Sequence, residues 1–207
     1  MPQLKSRLLL VTDRHRTGSR PLLSVLKQAL RAGSPSVQLR ERDLCTRDLL
    51  ELALAVQVLT EQCGSQLVIN DRADLALMME NVGVHLRSNS LPVPVARDLI
   101  GPNRLLGIST HSFEEAARAE SDGADYVVLG PIYPTASKQS FGPPLGLRVL
   151  EDACRAVRIP VLAIGGITPA RGTEIRHAGA FGAAVITAIL SVTDVEDATH
   201  EMLTALA

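Results

Sequence analysis

A closed barrel of eight alternating strands and helices, the (β/α)₈ TIM barrel of the α/β class, is the fold this sequence predicts. Three observations predict it. Eight short apolar runs recur along the 207 residues, helix-patterned segments separate them, and the length suits one compact barrel domain over 1–207. The runs are LLLVT at 8–12, SVQL at 36–39, LVIN at 67–70, VGVHL at 82–86, LLGIS at 105–109, DYVVLG at 125–130, PVLAIGG at 160–166 and AAVITAI at 183–189. Each is apolar nearly throughout, as a parallel strand covered on both faces reads. Between them stand helix start signals, Ser112 with Glu115 as a capping box and Thr168-Pro169 before ARGTEIRHA. Gly33, Gly123 and Gly179 stand where three helices should stop. An open doubly wound sheet is the alternative assembly of the same elements.

The totals narrow the function classes. A hydrophobic content of 46% supports a sizeable core, and 21 basic against 22 acidic residues leave no excess charge for a nucleic-acid surface or a polybasic membrane patch. A small-molecule partner is the expectation. Cys45, Cys63 and Cys154 are odd in number and form no C-x-x-C pair, which predicts cytoplasmic thiols rather than a disulfide framework or a zinc site. The apolar run before Asp13 is too short for a signal core or a spanning helix, so neither a targeting segment nor a membrane association is expected. The helix pattern is compatible with a homo-oligomer as well as with a monomer.

In a barrel of this kind the chemistry gathers where the carboxyl ends of the strands meet their following loops. After the second run, QLRERD puts Gln38, Arg40 and Arg42 at alternate positions, hence on one side of an extended segment. Two guanidiniums beside an amide suit a diphosphate, and the competing reading is a solvated loop paired with Glu41 and Asp43. The third run ends in Asn70 and Asp71, where the carboxylate fits either a helix cap or a hard cation. Ser88 and Ser90 follow the fourth run and read as caps of the next helix or as ligand contacts. The fifth offers Ser109 and His111, the latter reading better as a hydrogen-bonded structural histidine than as a base. His15, His85, His177 and His200 carry still less signal, and no nucleophile elbow occurs.

The stretch GPIYPTASKQSFGPPLG, 130–146, follows the sixth run and is long for a βα connection. Thr135, Ser137 and Lys138 place two hydroxyls and an ammonium within four residues, while the prolines limit the empty loop's conformations. This reads as an anion grip, against the alternative of a stiffened surface loop. The seventh and eighth runs bring Gly165-Gly166 and Thr187 to the place where barrels of this class collect phosphates.

Taken together, QLRER, LVINDRADLAL, GVHL, GISTHS, GADYVVLGPIYPTASK, GPPLG, IPVLAIGGI and VITAI resemble the thiamin phosphate synthase/TenI family, in order and over nearly the whole chain. The resemblance implies a barrel that binds thiazole phosphate and, in the synthase branch, hydroxymethylpyrimidine diphosphate with Mg²⁺. Diphosphate would leave and the thiazole nitrogen would capture the pyrimidine-methyl cation, giving thiamin phosphate. By matching motif positions, Gln38, Arg40, Arg42, Asn70 and Lys138 should lie along the diphosphate, and Asp71 should ligate Mg²⁺. Ser109, Thr135 and Ser137 should touch the substrates or diphosphate, and Gly166, Ile186 and Thr187 should hold the thiazole phosphate. Lys138, Arg40 and Ser109 form the implied catalytic set.

Three positions depart from the synthase pattern, which ordinarily has lysine at Arg42, serine at Thr187 and a second magnesium carboxylate at Ser90. RER and the L-x-S-x-S run from Leu86 to Ser90 look more like the TenI branch, whose thiazole tautomerase carries a histidine where this chain has Pro131. The synthase is the preferred reading. A tautomerase, or a barrel that binds thiazole or thiamin phosphate without turnover, is the alternative.

Overall fold

The computed structural model describes residues 2–135 and 143–207. Eight strands, β1 (Leu8–Val11), β2 (Ser36–Leu39), β3 (Leu67–Asn70), β4 (Gly83–Leu86), β5 (Leu106–Thr110), β6 (Tyr126–Leu129), β7 (Val161–Ile164) and β8 (Gly182–Val185), close into one parallel barrel in sequence order. Leu9 pairs with Ser36 on one side and with Ala184 on the other, which closes the ring. The open doubly wound alternative is thereby excluded.

Period-2 alternation sorts each strand's side chains into two cores. Leu9, Val11, Val68, Tyr126, Val128, Leu162 and Ala184 fill the barrel interior, with Leu4 and Leu105 packed in the same cluster. The opposite parity packs outward against the helices α1 (Leu22–Arg31), α2 (Thr46–Gln62), α3 (Ala73–Leu77), α4 (Val93–Ile100), α5 (Phe113–Ser121), α6 (Gly146–Ala156), α7 (Pro169–His177), α8 (Thr187–Leu190) and α9 (Val195–Ala205). Helix α1 shows why such a segment docks: Leu22, Val25, Leu26, Ala29 and Leu30 share one buried face at the i, i+3, i+4 spacing. Truncating Leu26 to alanine there would cost about 2–5 kcal/mol. No helix among the described residues is long and apolar enough to cross a membrane.

The punctuation follows the sequence, with instructive exceptions. Gly33, Gly123 and Gly179 do stop helices, each at positive φ. Ser112 caps α5 by accepting the Glu115 N–H at 3.1 Å, but Glu115 returns to the N–H of His111, at 2.7 Å, rather than to that of Ser112. Pro169 opens α7 behind an extended Thr168 whose side chain makes no cap bond. The eighth run needs correction: β8 ends at Val185, Ile186 breaks the strand at φ −121 and ψ −84, and Thr187 already begins α8. Neither serine after β4 caps α4, whose N-cap is Pro92. Asp71 does not cap α3 either, since the N-cap there is Arg72.

A part-buried ion pair braces the barrel at the amino end of β6. Arg97 donates to Asp125 Oδ2 at 2.6 Å, and the same oxygen accepts the Leu106 N–H at 2.7 Å. Arg97 also reaches the carbonyls of Gly101, Arg104 and Gly123, so one guanidinium joins α4 to the starts of β5 and β6. This rim stabilises and leaves the opposite rim for chemistry.

Candidate active site

At the carboxyl rim a cavity of about 440 Å³ is walled by Arg40, Arg42 and Arg16 on one side and by Gly165–Thr168 and Ala184–Ala188 on the other, with Thr135 at its edge. The loop after β2 sets the cationic wall. Alternation continues past the strand, so Gln38 enters the barrel, Arg40 and Arg42 face the cavity, and Glu41 turns the other way. The buried Glu41 carboxylate accepts the Arg14 N–H at 3.1 and 3.2 Å and Arg14 Nη1 at 3.2 Å. Asp43 takes the remaining guanidinium donors at 2.5 and 2.7 Å and His15 Nε2 at 2.9 Å. The hydrogen bond from Arg14 is the main reason Asp43 stays far below the usual carboxylate range.

The two acids that flank Arg42 in the chain, Glu41 and Asp43, are thus committed to Arg14 and His15, while Asp13, 3.7 Å from Arg16, lines the same cavity and attracts Arg40 without contacting it. Among the described residues neither guanidinium of the pair has an ion-pair partner or a side-chain hydrogen bond. Burial, and then the like charge of Arg42, pushes the pKa of Arg40 below its ordinary value. A half-buried Arg40 beside an exposed Arg42, with no carboxylate in contact with either among the described residues, is a place for a polyanion.

The opposite wall offers bare backbone. Gly165 and Gly166 take φ of 97° and 66°, and a Cβ on Gly166 would stand 2.8 Å from both Pro134 O and Tyr133 Cβ. The N–H groups of Gly166, Ile167, Thr187 and Ala188 donate to no other protein group among the described residues. Gly166, Ile186 and Thr187 therefore meet on one cavity wall with free donors, as an anion cradle requires. Arg171 holds this turn: its Nη1 donates to the Gly166 carbonyl and its guanidinium lies 4.2 Å from the Tyr133 ring centroid. Tyr133 in turn donates to Glu174 at 2.5 Å, and burial followed by that bond raises its pKa to about 12.

A second cavity of about 300 Å³ shares Arg42 and is lined also by Asn70, Asp71, Arg72 and Arg87. Asp71 stands at φ 63°, with its carboxylate engaged by Arg87 Nε and by the Ser90 hydroxyl. The Arg87 N–H donates to Ser90 Oγ at 3.2 Å and to Asp71 Oδ1 at 3.3 Å, so Ser90 ties the loop after β4 to the end of β3. No cluster of three or more metal-ligating His, Cys, Asp or Glu side chains exists among the described residues. One carboxylate beside a hydroxyl is a sparse donor set, but it suits Mg²⁺, which takes one or two carboxylates and completes its shell with phosphate oxygens and water.

Inside the mouth three polar contacts replace apolar packing. Gln38 Nε2 donates to Asn70 Oδ1 at 3.0 Å, both residues being buried. His85 Nδ1 lies 3.0 Å from Tyr126 Oη, and His85 Nε2 lies 3.0 Å from Ser109 Oγ. Burial, then the charge of Arg40, pushes His85 down to about 3, so the imidazole is neutral near pH 7. Burial also raises the Tyr126 phenol. His111 is structural as expected, with Nδ1 2.6 Å from the Gly130 carbonyl oxygen. Ser137 and Lys138 lie outside the described residues.

The structure thus gathers Arg40, Arg42, Thr135, Gly166, Ile186 and Thr187 around one cavity, Asn70 and Asp71 around its neighbour, and Gln38 and Ser109 at the throat between strands. Sequence reasoning passed over His85, Arg87, Tyr133 and Arg171. His85 carried a usable signal, since GVHL is a buried strand and residue 85 shares the inward parity of Gly83. Arg87, Tyr133 and Arg171 act across loops distant in sequence, and no spacing rule announces them.

Such a site can hold a diphosphate and a phosphate monoester side by side, and it contains no activated nucleophile among the described residues. Comparison with known proteins agrees. A family profile described as thiamine monophosphate synthase matches residues 8–189. The thiamine-phosphate synthase of Roseiflexus castenholzii is 41% identical over 201 residues, covering 97% of this chain and 88% of that protein. That of Moorella thermoacetica is 43% identical over 185 residues, covering 89% and 88% respectively. Among solved structures, the thiamine phosphate pyrophosphorylase of Pyrococcus furiosus superposes with a TM-score of 0.87 at 34% identity, over 96% of this chain and 94% of that one.

Proposed function

This chain belongs to the thiamine monophosphate synthase family, and we propose that it joins hydroxymethylpyrimidine diphosphate to thiazole phosphate, giving thiamin phosphate and diphosphate. The observation that carries the reading is the single cavity in which two guanidiniums without an ion-pair contact among the described residues, Arg40 and Arg42, face a wall of free backbone N–H groups at Gly166 and Thr187. One wall suits the diphosphate and the other the monoester. The relatives of known name support the same reaction.

In this reaction the bond between the pyrimidine methylene carbon and the diphosphate oxygen breaks, and its electron pair leaves with diphosphate. The thiazole nitrogen then supplies the pair for the new carbon–nitrogen bond. The protein's contribution is electrostatic and positional. Arg40 and Arg42 stabilise charge as it develops on the leaving diphosphate, and Lys138 is assigned the same task from its motif position. The Gly166 and Thr187 wall fixes the thiazole phosphate, so that the ring nitrogen is presented to the methylene carbon. Gln38 and Asn70, joined to each other, lie along the diphosphate beside Arg40, and Ser109 touches the substrates from the throat of the barrel.

Asp71, with Ser90 beside it, is the group that would hold Mg²⁺. The ion would supply charge neutralisation to the diphosphate, and Arg87, which now engages the Asp71 carboxylate, is placed to pair with diphosphate instead. The three unpaired thiols suit a cytoplasmic enzyme. A tautomerase reading has less support, because Pro131 stands where that chemistry places a histidine and proline moves no proton.

The test is one mass-spectrometric assay with both substrates, with and without chelator. Thiamin phosphate formed only with metal supports the synthase. Turnover of a thiazole carboxylate phosphate alone, without metal and with no thiamin phosphate from the paired substrates, would establish the tautomerase instead.

A further inference from the structure

Tyr126 and His85 are fully buried inside the barrel, on the strands that flank β5, and the reaction above gives neither a task. Gly107 on β5 makes their meeting possible. A Cβ there would fall 2.1 Å from the Tyr126 Cζ and 2.5 Å from its hydroxyl oxygen, so only glycine lets the ring pass across the strand. The Tyr126 and His85 rings then sit 5.6 Å apart, tilted by 37°. Tyr126 Oη, the two imidazole nitrogens and Ser109 Oγ form a continuous chain with 3.0 Å at each link.

The direction of that chain follows from counting protons. A neutral imidazole donates at one nitrogen and accepts at the other. The Tyr126 phenol carries one proton, and His85 Nδ1 is its only hydrogen-bond partner among the described residues. Leaving that proton unpaired in an apolar interior would forfeit its hydration with nothing in return. Tyr126 therefore donates to Nδ1, the ring proton resides on Nε2, and Nε2–H donates to Ser109 Oγ. Ser109 accepts from beneath and keeps its own proton for the mouth of the barrel, where it is half-buried.

We propose that Tyr126, acting through His85, fixes Ser109 as a hydrogen-bond donor to the bound substrate. The opposite polarity, with Ser109 donating to His85, would strand the Tyr126 proton. Tyr126 touches no substrate and is a positioning residue. Only the acceptor's identity rests on the synthase reading: an oxygen of the diphosphate or a ring nitrogen of the pyrimidine.

Nitrogen-15 chemical shifts of His85 in the unliganded wild-type protein test the polarity without any assay. Protonated Nε2 with unprotonated Nδ1 is expected, and the reverse tautomer overturns the proposal. Kinetics test the consequence. Tyr126→Phe keeps the ring and should lower kcat about tenfold, the effect of one hydrogen bond to the reacting complex. In a Ser109→Ala background the same substitution should change kcat less than twofold, because its effect passes through Ser109. Equal losses in both backgrounds would mean that Tyr126 serves the fold alone. A wild-type protein that forms no thiamin phosphate would sink the synthase reading, while the nitrogen shifts would still decide the relay.

Discussion

Glu41 and Arg14 are joined through both the backbone N–H and the guanidinium of the arginine, at 3.1 to 3.2 Å, and this contact turns Glu41 away from Arg40 beside it in the chain. The consequence is a cation that no carboxylate contacts among the described residues, with Asp13 and Glu41 acting on it only at longer range and burial outweighing their attraction. Such a group favours ligand binding at the expense of the empty fold.

Arg40→Met should therefore move activity and stability in opposite directions. Losing one preorganised donor at the developing diphosphate charge should lower kcat/KM by about 10²- to 10³-fold. Removing a half-buried charge whose burial outweighs the attraction of Asp13 and Glu41 should raise Tm by about 2–4 °C, the shift that ~1 kcal/mol produces in a domain of this size. Steady-state kinetics and thermal melting of the empty protein check both halves. A drop in Tm would show that Arg40 has a structural counter-charge.

Gly166→Val attacks the opposite wall. The branched side chain meets Pro134 O and Tyr133 Cβ at 2.8 Å and cannot adopt φ 66° without strain of about 1–3 kcal/mol. The KM for thiazole phosphate should rise at least tenfold while the KM for the pyrimidine diphosphate stays within about twofold. An unchanged thiazole KM would move the monoester elsewhere.

Ser90→Asp places a second carboxylate against Asp71, whose oxygen the Ser90 hydroxyl now touches. Two carboxylates should reduce the Mg²⁺ needed for half-maximal rate by roughly tenfold, and Asp71→Asn should raise it by more. Rate measured against Mg²⁺ concentration for the wild type and both variants distinguishes these outcomes. Indifference of all three to the metal would remove it from the site.

Asp125→Ala tests the other rim. It leaves Arg97, whose side chain is 18% exposed, without its carboxylate and should cost about 3–5 kcal/mol of stability. Denaturant melts should report that loss. At a temperature where the variant is still folded, kcat should remain within about twofold, since the pair lies at the amino end of the strands.

How far the sequence could be read depended on the range of each interaction. Strand positions and helix stops follow from local pattern, and seven of the eight apolar runs became strands close to where they were placed. The eighth misled because Ile186 and Thr187 are as β-prone as their neighbours, and only the turn geometry at Ile186 shows the chain entering α8. At the site, the alternation of Gln38, Arg40 and Arg42 was readable because strand parity extends into the loop. Whether Glu41 and Asp43 would neutralise those arginines was not readable, since the answer lies with Arg14, 27 residues before Glu41. The caps expected of Asp71 and Ser90 failed for a similar reason, because the two side chains satisfy each other across the loops after β3 and β4.

Closing the sheet on itself has a consequence for descent. With β8 paired to β1, no strand presents an unpaired flank, so the backbone ladder gains nothing from any particular side chain at the rim. Ser90 and Pro131, two of the positions at which this chain parts from one or other branch of its family, both stand in loops beyond the strands that precede them. Replacing either leaves every ladder pairing in place. Lineages built on this scaffold can thus drift between chemistries by exchanging a few rim residues, with the same folded framework inherited throughout.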